Sequence, residues 1–149
     1  MRKLQLTALA ALCLLLGRTF GNDEKNDLDK LQGRWVMVES TNDGKKTTKD
    51  QLKIERVVDG NSYTVTIYRE EGELVLDGTI KLDPSKKPKS IDATRTEGPD
   101  KGKPMLGIYE LTDDQQKVCF AVPGKERPTE FSSKPGSGHV LTVWQRIKK

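Results

Sequence analysis

Histidine and cysteine are almost missing from this chain, with one of the first and two of the second in 149 residues. A tetrahedral zinc site of nitrogen and sulfur ligands therefore cannot be assembled within one chain without carboxylates. No Gly-rich phosphate loop leads into a helix, no Cys or His pair stands at metal spacing, and there is no Gly-x-Ser-x-Gly elbow. With no such constellation, no catalytic residue, metal ligand or cofactor is expected, and an enzyme ranks last among the readings. Asp92, Glu97 and Asp100 are the only acids that invite a metal reading, and acids beside lysines in turns make an ordinary solvated face.

Long apolar runs are also scarce. The one candidate, Leu4–Leu16, holds thirteen residues interrupted by Gln5 and Thr7, short of the roughly 20 that a spanning helix needs. With Arg2 and Lys3 before it and Thr19-Phe20-Gly21 after it, residues 1–21 read as a secretory signal peptide, and the mature chain as 22–149. The chain is thus expected to be exported, to the periplasm or beyond the cell, and not to span the membrane after cleavage. Cys13 leaves with the leader, so no internal disulfide can form; Cys119, within Val118-Cys119-Phe120-Ala121-Val122, reads as a small buried hydrophobe of a strand. Loss of Arg2, Lys3 and Arg18 leaves 23 cations against 22 anions. So balanced and interleaved a charge excludes nucleic acid as a natural partner.

What remains is β-patterned. A short helix is expected over 26–32, with Asn26 or Asp27 at its start and Gly33 ending it in the left-handed conformation. Strands follow near 33–41, 53–59, 62–70, 73–82, 89–96, 104–112, 116–122 and 139–147. Tyr63, Val65 and Ile67 alternate with threonines, and Leu74, Leu76, Gly78, Ile80 and Leu82 alternate with polar residues, so one face is wet. Asp59-Gly60 marks a tight hairpin, Glu71-Gly72 and Asp113-Asp114 weaker ones, and all seven prolines fall between Pro84 and Pro135, in connections. Short links imply antiparallel neighbours. The expected fold is all-β, an eight-stranded antiparallel up-and-down barrel with a short N-terminal helix, one domain; a two-sheet sandwich is the alternative.

Gly33-Arg34-Trp35 at the first strand and Trp144-Gln145-Arg146 in the last resemble the lipocalin arrangement. That resemblance implies that Gly33 opens strand one while Arg146 lies over Trp35 to close the barrel's base, an attraction of roughly 0.5 to 2 kcal/mol. A wider resemblance covers nearly all of the mature chain. Asp29-Lys30-Leu31-Gln32-Gly33-x-Trp35, Leu82-Asp83-Pro84-x-Lys86-Lys87-Pro88-Lys89-x-Ile91-Asp92, Gly107-Ile108-Tyr109-Glu110-Leu111, Arg127-Pro128-Thr129-Glu130-Phe131 and Pro135-Gly136-Ser137-Gly138-His139-Val140 are similar to a family of small secreted lipocalin-like domains of planctomycete bacteria. The resemblance implies fold and export and carries over no active site. Leu52 to Tyr68 match it by character alone.

The segment 123–138 is long for a compact domain and is expected to work as a lid or rim at the barrel mouth. Arg127, Glu130, Phe131 and His139 are its candidate ligand-facing residues, against the plainer reading in which Phe131 plugs a barrel end and Arg127 pairs locally with Glu130. Two basic turns, Lys86, Lys87 and Lys89 and then Lys101 and Lys103, read as soluble surface. The partner is expected to be a small apolar or amphipathic ligand, or an envelope protein, with the chain a monomer. A cavity of a few hundred cubic ångströms lined by Tyr63, Val65, Leu76, Ile80 and Phe120 separates a binding module from a solid barrel that recognises through its loops. With only seven aromatic residues after Asn22, a small pocket or a filled interior is expected.

Overall fold

The computed structural model describes residues 20–149; the expected leader lies, but for its last two residues, outside them. Helix α1 (Phe20–Leu31) is followed by β1 (Gly33–Asn42), β2 (Lys45–Thr48), β3 (Ile54–Asp59), β4 (Ser62–Arg69), β5 (Gly72–Asp83), β6 (Ser90–Arg95), β7 (Pro104–Leu111), β8 (Gln115–Ala121) and β9 (His139–Arg146). All pairings are antiparallel, in the sheet order β2-β1-β3-β4-β5-β6-β7-β8-β9, and β1 also pairs with β9. Eight strands thus close into a barrel, and closure leaves no sheet edge open along most of its wall.

The ninth strand is an addition. The lower half of β1, Gly33–Val36, pairs with β3, while its upper half, Glu39–Asn42, pairs with β2 on the same edge. The turn between β1 and β2 is Asp43-Gly44, with φ of 51° and 76°, the left-handed pair that a two-residue hairpin of the favoured twist demands. A bulge between Met37 and Glu39 moves the inward row of β1 from odd to even positions, so that Trp35, Met37 and then Ser40 face the interior.

α1 seals one end. It starts six residues earlier than expected, and Asp27 is not its cap: it lies within the helix, buried, and its Oδ2 accepts from Lys89 Nζ at 2.8 Å and from Tyr109 OH at 2.8 Å. At the helix end Gln32 bonds the β3–β4 turn in both directions, Nε2 donating to Gly60 O at 2.9 Å and Oε1 accepting from Gly60 N at 2.7 Å. Gly33 follows with φ of 103°, a left-handed conformation that turns the chain from helix to strand at little cost only for glycine.

The Asp27–Tyr109 contact yields an alkaline signature. Burial, then the hydrogen bond to Asp27, hold the Tyr109 phenol protonated far above its ordinary range. A group whose pKa is raised in the fold stabilises fully below its unfolded value, near 10, and that contribution drains as pH climbs beyond it. Tyr109→Phe is expected to cost about 1–2 kcal/mol at neutral pH and to flatten the stability loss above pH ~10. Urea midpoints at pH 8, 10 and 11 check this; parallel curves for the two proteins would refute it.

Candidate binding site

The inward rows of the barrel do not meet. They enclose a cavity of about 270 Å³ whose wall includes Val65, Leu76, Ile80, Met105 and Phe120, with Leu31 of α1 and Trp144 at its depth. Tyr63, Val65, Leu76, Ile80 and Phe120 all lie on this wall, as a hollow barrel requires. Two glycines set its shape. A Cβ on Gly78 would come within 2.5 Å of the Tyr63 ring, and one on Gly107 within 2.6 Å of the Phe120 ring; each glycine lets the opposite strand's aromatic lie against the wall.

Exposure falls along the inward rows. In β3 it runs from half-buried Ile54 to buried Arg56 and Val58, and in β4 from half-buried Ile67 and Val65 to buried Tyr63. The cavity therefore opens at the β4–β5 turn and is shut at the α1 end.

The shut end is held by Trp35 and Arg146. Trp35 is fully buried, its Nε1 donates to Leu31 O at 2.8 Å, and the Arg146 guanidinium lies 4.3 Å from its ring centre. Arg146 also donates through Nη1 to Gln32 O at 2.6 Å, through Nη2 to Lys30 O and through Nε to Asp113 O at 2.6 Å. One guanidinium thus ties helix end, last strand and the β7–β8 turn across the indole face.

A second guanidinium stands inside. Arg56 lines the cavity, is only 8% exposed, and packs 4.5 Å from the Trp144 ring centre and 5.4 Å from that of Trp35. Its Nε and Nη2 find no acceptor among the described residues. The neighbouring carboxylate, Glu55, faces outward and pairs with Arg34 at 3.2 Å and Lys53 at 3.1 Å. Burial, with the charge of Arg146 adding to it, pulls the Arg56 guanidinium down to about 9, which leaves it protonated at neutral pH. The other polar groups of the wall are Ser40 and Thr142, bonded to each other at 3.1 Å, the Tyr63 phenol, raised by burial, and Arg95.

Arg56 is the residue that sequence reasoning passed over, and its signal was present. Ile54, Arg56 and Val58 form the apolar-flanked row of β3, so period two places the arginine inward.

The four rim candidates lie elsewhere. Segment 122–138 folds down over the outside of β6, β7 and β8 rather than across the mouth. Arg127 Nη1 donates to Ile91 O at 3.2 Å and Gly107 O at 2.7 Å, and Nη2 meets Asp92 Oδ1 at 2.7 Å. Glu130 pairs with Lys134 at 3.4 Å and not with Arg127; Phe131 lies 5.0 Å from Lys117 Nζ, against the outer wall, and plugs neither end. His139 opens β9 opposite Ala121, in the outward row, its carbonyl accepting from Ser133 Oγ at 2.6 Å. The reason is burial: Ile108, Cys119 and Ala121 point outward and would be wet without this cover. Under it Cys119 Sγ donates to Ser132 O at 3.3 Å, and burial pushes its thiol up, away from the reactive thiolate. The segment also clasps the β1–β2 turn, Gly44 N donating to Ser133 O at 2.9 Å and Gly136 N to Asp43 Oδ1 at 2.6 Å.

Arg127→Ala should therefore loosen the outer cover without touching the cavity. We expect a stability loss of about 1.5–3 kcal/mol in urea unfolding and unchanged affinity for 1-octanol in calorimetry. A weakened affinity with stability intact would restore the segment to the mouth.

Among the described residues no group of three His, Cys, Asp or Glu side chains could hold a metal ion, and no helix is long and apolar enough to cross a membrane. Against protein-family models, curated proteins and solved structures the chain shows no match.

Proposed function

We propose that the protein is an exported, non-catalytic carrier or sensor of one small ligand, held inside the barrel. The observation that carries this reading is the cavity of about 270 Å³, just under the usual lower bound of small-molecule pockets, about 300 Å³. Its wall is apolar apart from a few polar side chains, the pattern by which such sites combine affinity with orientation. A chain free to fill its interior would have met the barrel's need for a core with larger side chains; here Ala93 stands in an inward row. Export is supported by the basic start and apolar run of residues 2–16.

Titration with the neutral probes 1-octanol and N-phenyl-1-naphthylamine, followed by calorimetry and by the fluorescence of Trp144, tests the reading. Saturable one-to-one binding is expected, and Leu76→Trp, which fills the cavity, is expected to remove it. Absence of saturable binding by any apolar probe, neutral or charged, would sink it.

A further inference from the structure

From the same cavity, and resting on its reading as a binding site, we infer that the ligand is an apolar monocarboxylic acid whose headgroup sits deep in the barrel on Arg56 and whose tail runs toward the β4–β5 mouth. Three observations converge on this chemistry. The guanidinium is nine-tenths buried, lines the cavity, and has two N–H-bearing nitrogens without an acceptor among the described residues. Among the described residues no carboxylate serves it: the adjacent Glu55 is engaged outside, and the charge that acts on it from nearby is another cation, Arg146. An unpaired buried cation of this kind is costly unless an anion meets it, and the planar fork of arginine matches the two oxygens of a carboxylate.

The remainder of the wall gives the rest of the ligand. Ile54, Ile67, Leu76, Ile80 and Met105 are apolar, and the other charge on the wall, Arg95 at the mouth end of β6, is half-buried and of the same sign as Arg56, so nothing there pairs a cationic group. The indoles of Trp35 and Trp144 hold the guanidinium in place from the floor, so that it is oriented before a ligand arrives. A volume of about 270 Å³ holds on the order of nine or ten groups of water size, at about 30 Å³ each. A straight-chain acid of eight carbons has about that bulk. The headgroup-inward orientation follows from depth: Arg56 and Val58 are buried where Ile54 is half-exposed.

The test compares octanoate, 1-octanol and octylamine by calorimetry on the wild-type protein and on Arg56→Met and Arg56→Gln. Octanoate is expected to bind roughly tenfold to a hundredfold more tightly than octanol, the range of a charge-assisted hydrogen bond, and octylamine more weakly than either. In both variants acid and alcohol should bind alike. Should a variant fail to fold, the wild-type series decides, together with the shift of the Arg56 Nε–H resonance on adding octanoate. Equal binding of acid and alcohol by the wild type, or an acid preference that survives both substitutions, would overturn the assignment while leaving the cavity a binding site. No binding of any of the three would instead bring down the cavity reading itself.

Discussion

Trp35→Ala is expected to cost about 3–5 kcal/mol, the range for truncating a fully buried tryptophan, because three separate ties meet on this one ring. The indole is without solvent exposure, so its whole apolar area returns to water or leaves a hole in the barrel floor. Its Nε1–H loses Leu31 O, the bond that anchors the C-terminal turn of α1. The Arg146 guanidinium, 4.3 Å from the ring centre, loses a contact of about 0.5–2 kcal/mol, though its bonds to Lys30, Gln32 and Asp113 carbonyls remain. Against a total stability of about 5–15 kcal/mol for a domain, that loss leaves a population prone to opening at the helix end. Trp35→Phe keeps most of the packing and gives up one hydrogen bond, so about 1–2 kcal/mol is expected. Urea unfolding of the two variants gives the comparison, and a double-mutant cycle with Arg146→Ala isolates the stacking between the two side chains. A loss below about 1.5 kcal/mol for Trp35→Ala would mean that α1 and the last strand close the floor without it.

The stacking of Trp35 with Arg146 was implied by the resemblance of Gly33-Arg34-Trp35 and Trp144-Gln145-Arg146 to the lipocalin arrangement, and neither periodicity nor spacing pointed to it. The strands were legible from alternation and turn residues. β4 alternates polar and apolar from Ser62 to Ile67, and β3 and β4 are joined where Asp59-Gly60 announces a hairpin, Asp59 standing opposite Ser62. β2 was not found, since Lys45-Lys46-Thr47-Thr48 has no apolar row; a strand that covers nothing leaves no hydrophobic period. Its Asp43-Gly44 turn carried the same dipeptide signal as Asp59-Gly60 and was the available clue. The bulge after Met37 was hidden, because an inserted residue changes backbone pairing without changing residue types. The course of segment 122–138 was hidden for another reason. Arg127 bonds mostly carbonyl oxygens, and any sequence supplies those, so nothing in the chain names Ile91 and Gly107 as its partners.

Arg56→Met separates a guanidinium kept for a ligand from one kept for the fold. A cation that holds a core together is costly to remove, because breaking a buried ion pair leaves its partner stranded at about 3–5 kcal/mol. Among the described residues Arg56 has no such partner to strand: Glu55 is bound outside and the charge acting on it is repulsive. What the substitution gives up is the attraction to two indoles, at 4.5 and 5.4 Å, about 0.5–2 kcal/mol each. What it removes is the desolvation of a buried ion, several kcal/mol even after relaxation, and a side chain of similar length and greater apolarity takes the space. The second quantity outweighs the first, so the variant without ligand is expected to be more stable than the wild type, by about 1–3 kcal/mol. Urea unfolding of both proteins, stripped of lipid and measured at low ionic strength, gives the sign. Octanoate at a hundredfold excess over the wild-type Kd should then narrow the gap, since it stabilises the wild type by about 2.7 kcal/mol and the variant, which binds it more weakly, by less. A variant that unfolds about 3 kcal/mol more easily than the wild type would place Arg56 among the supports of the fold, beside Arg146, and would take from the cavity its charged anchor.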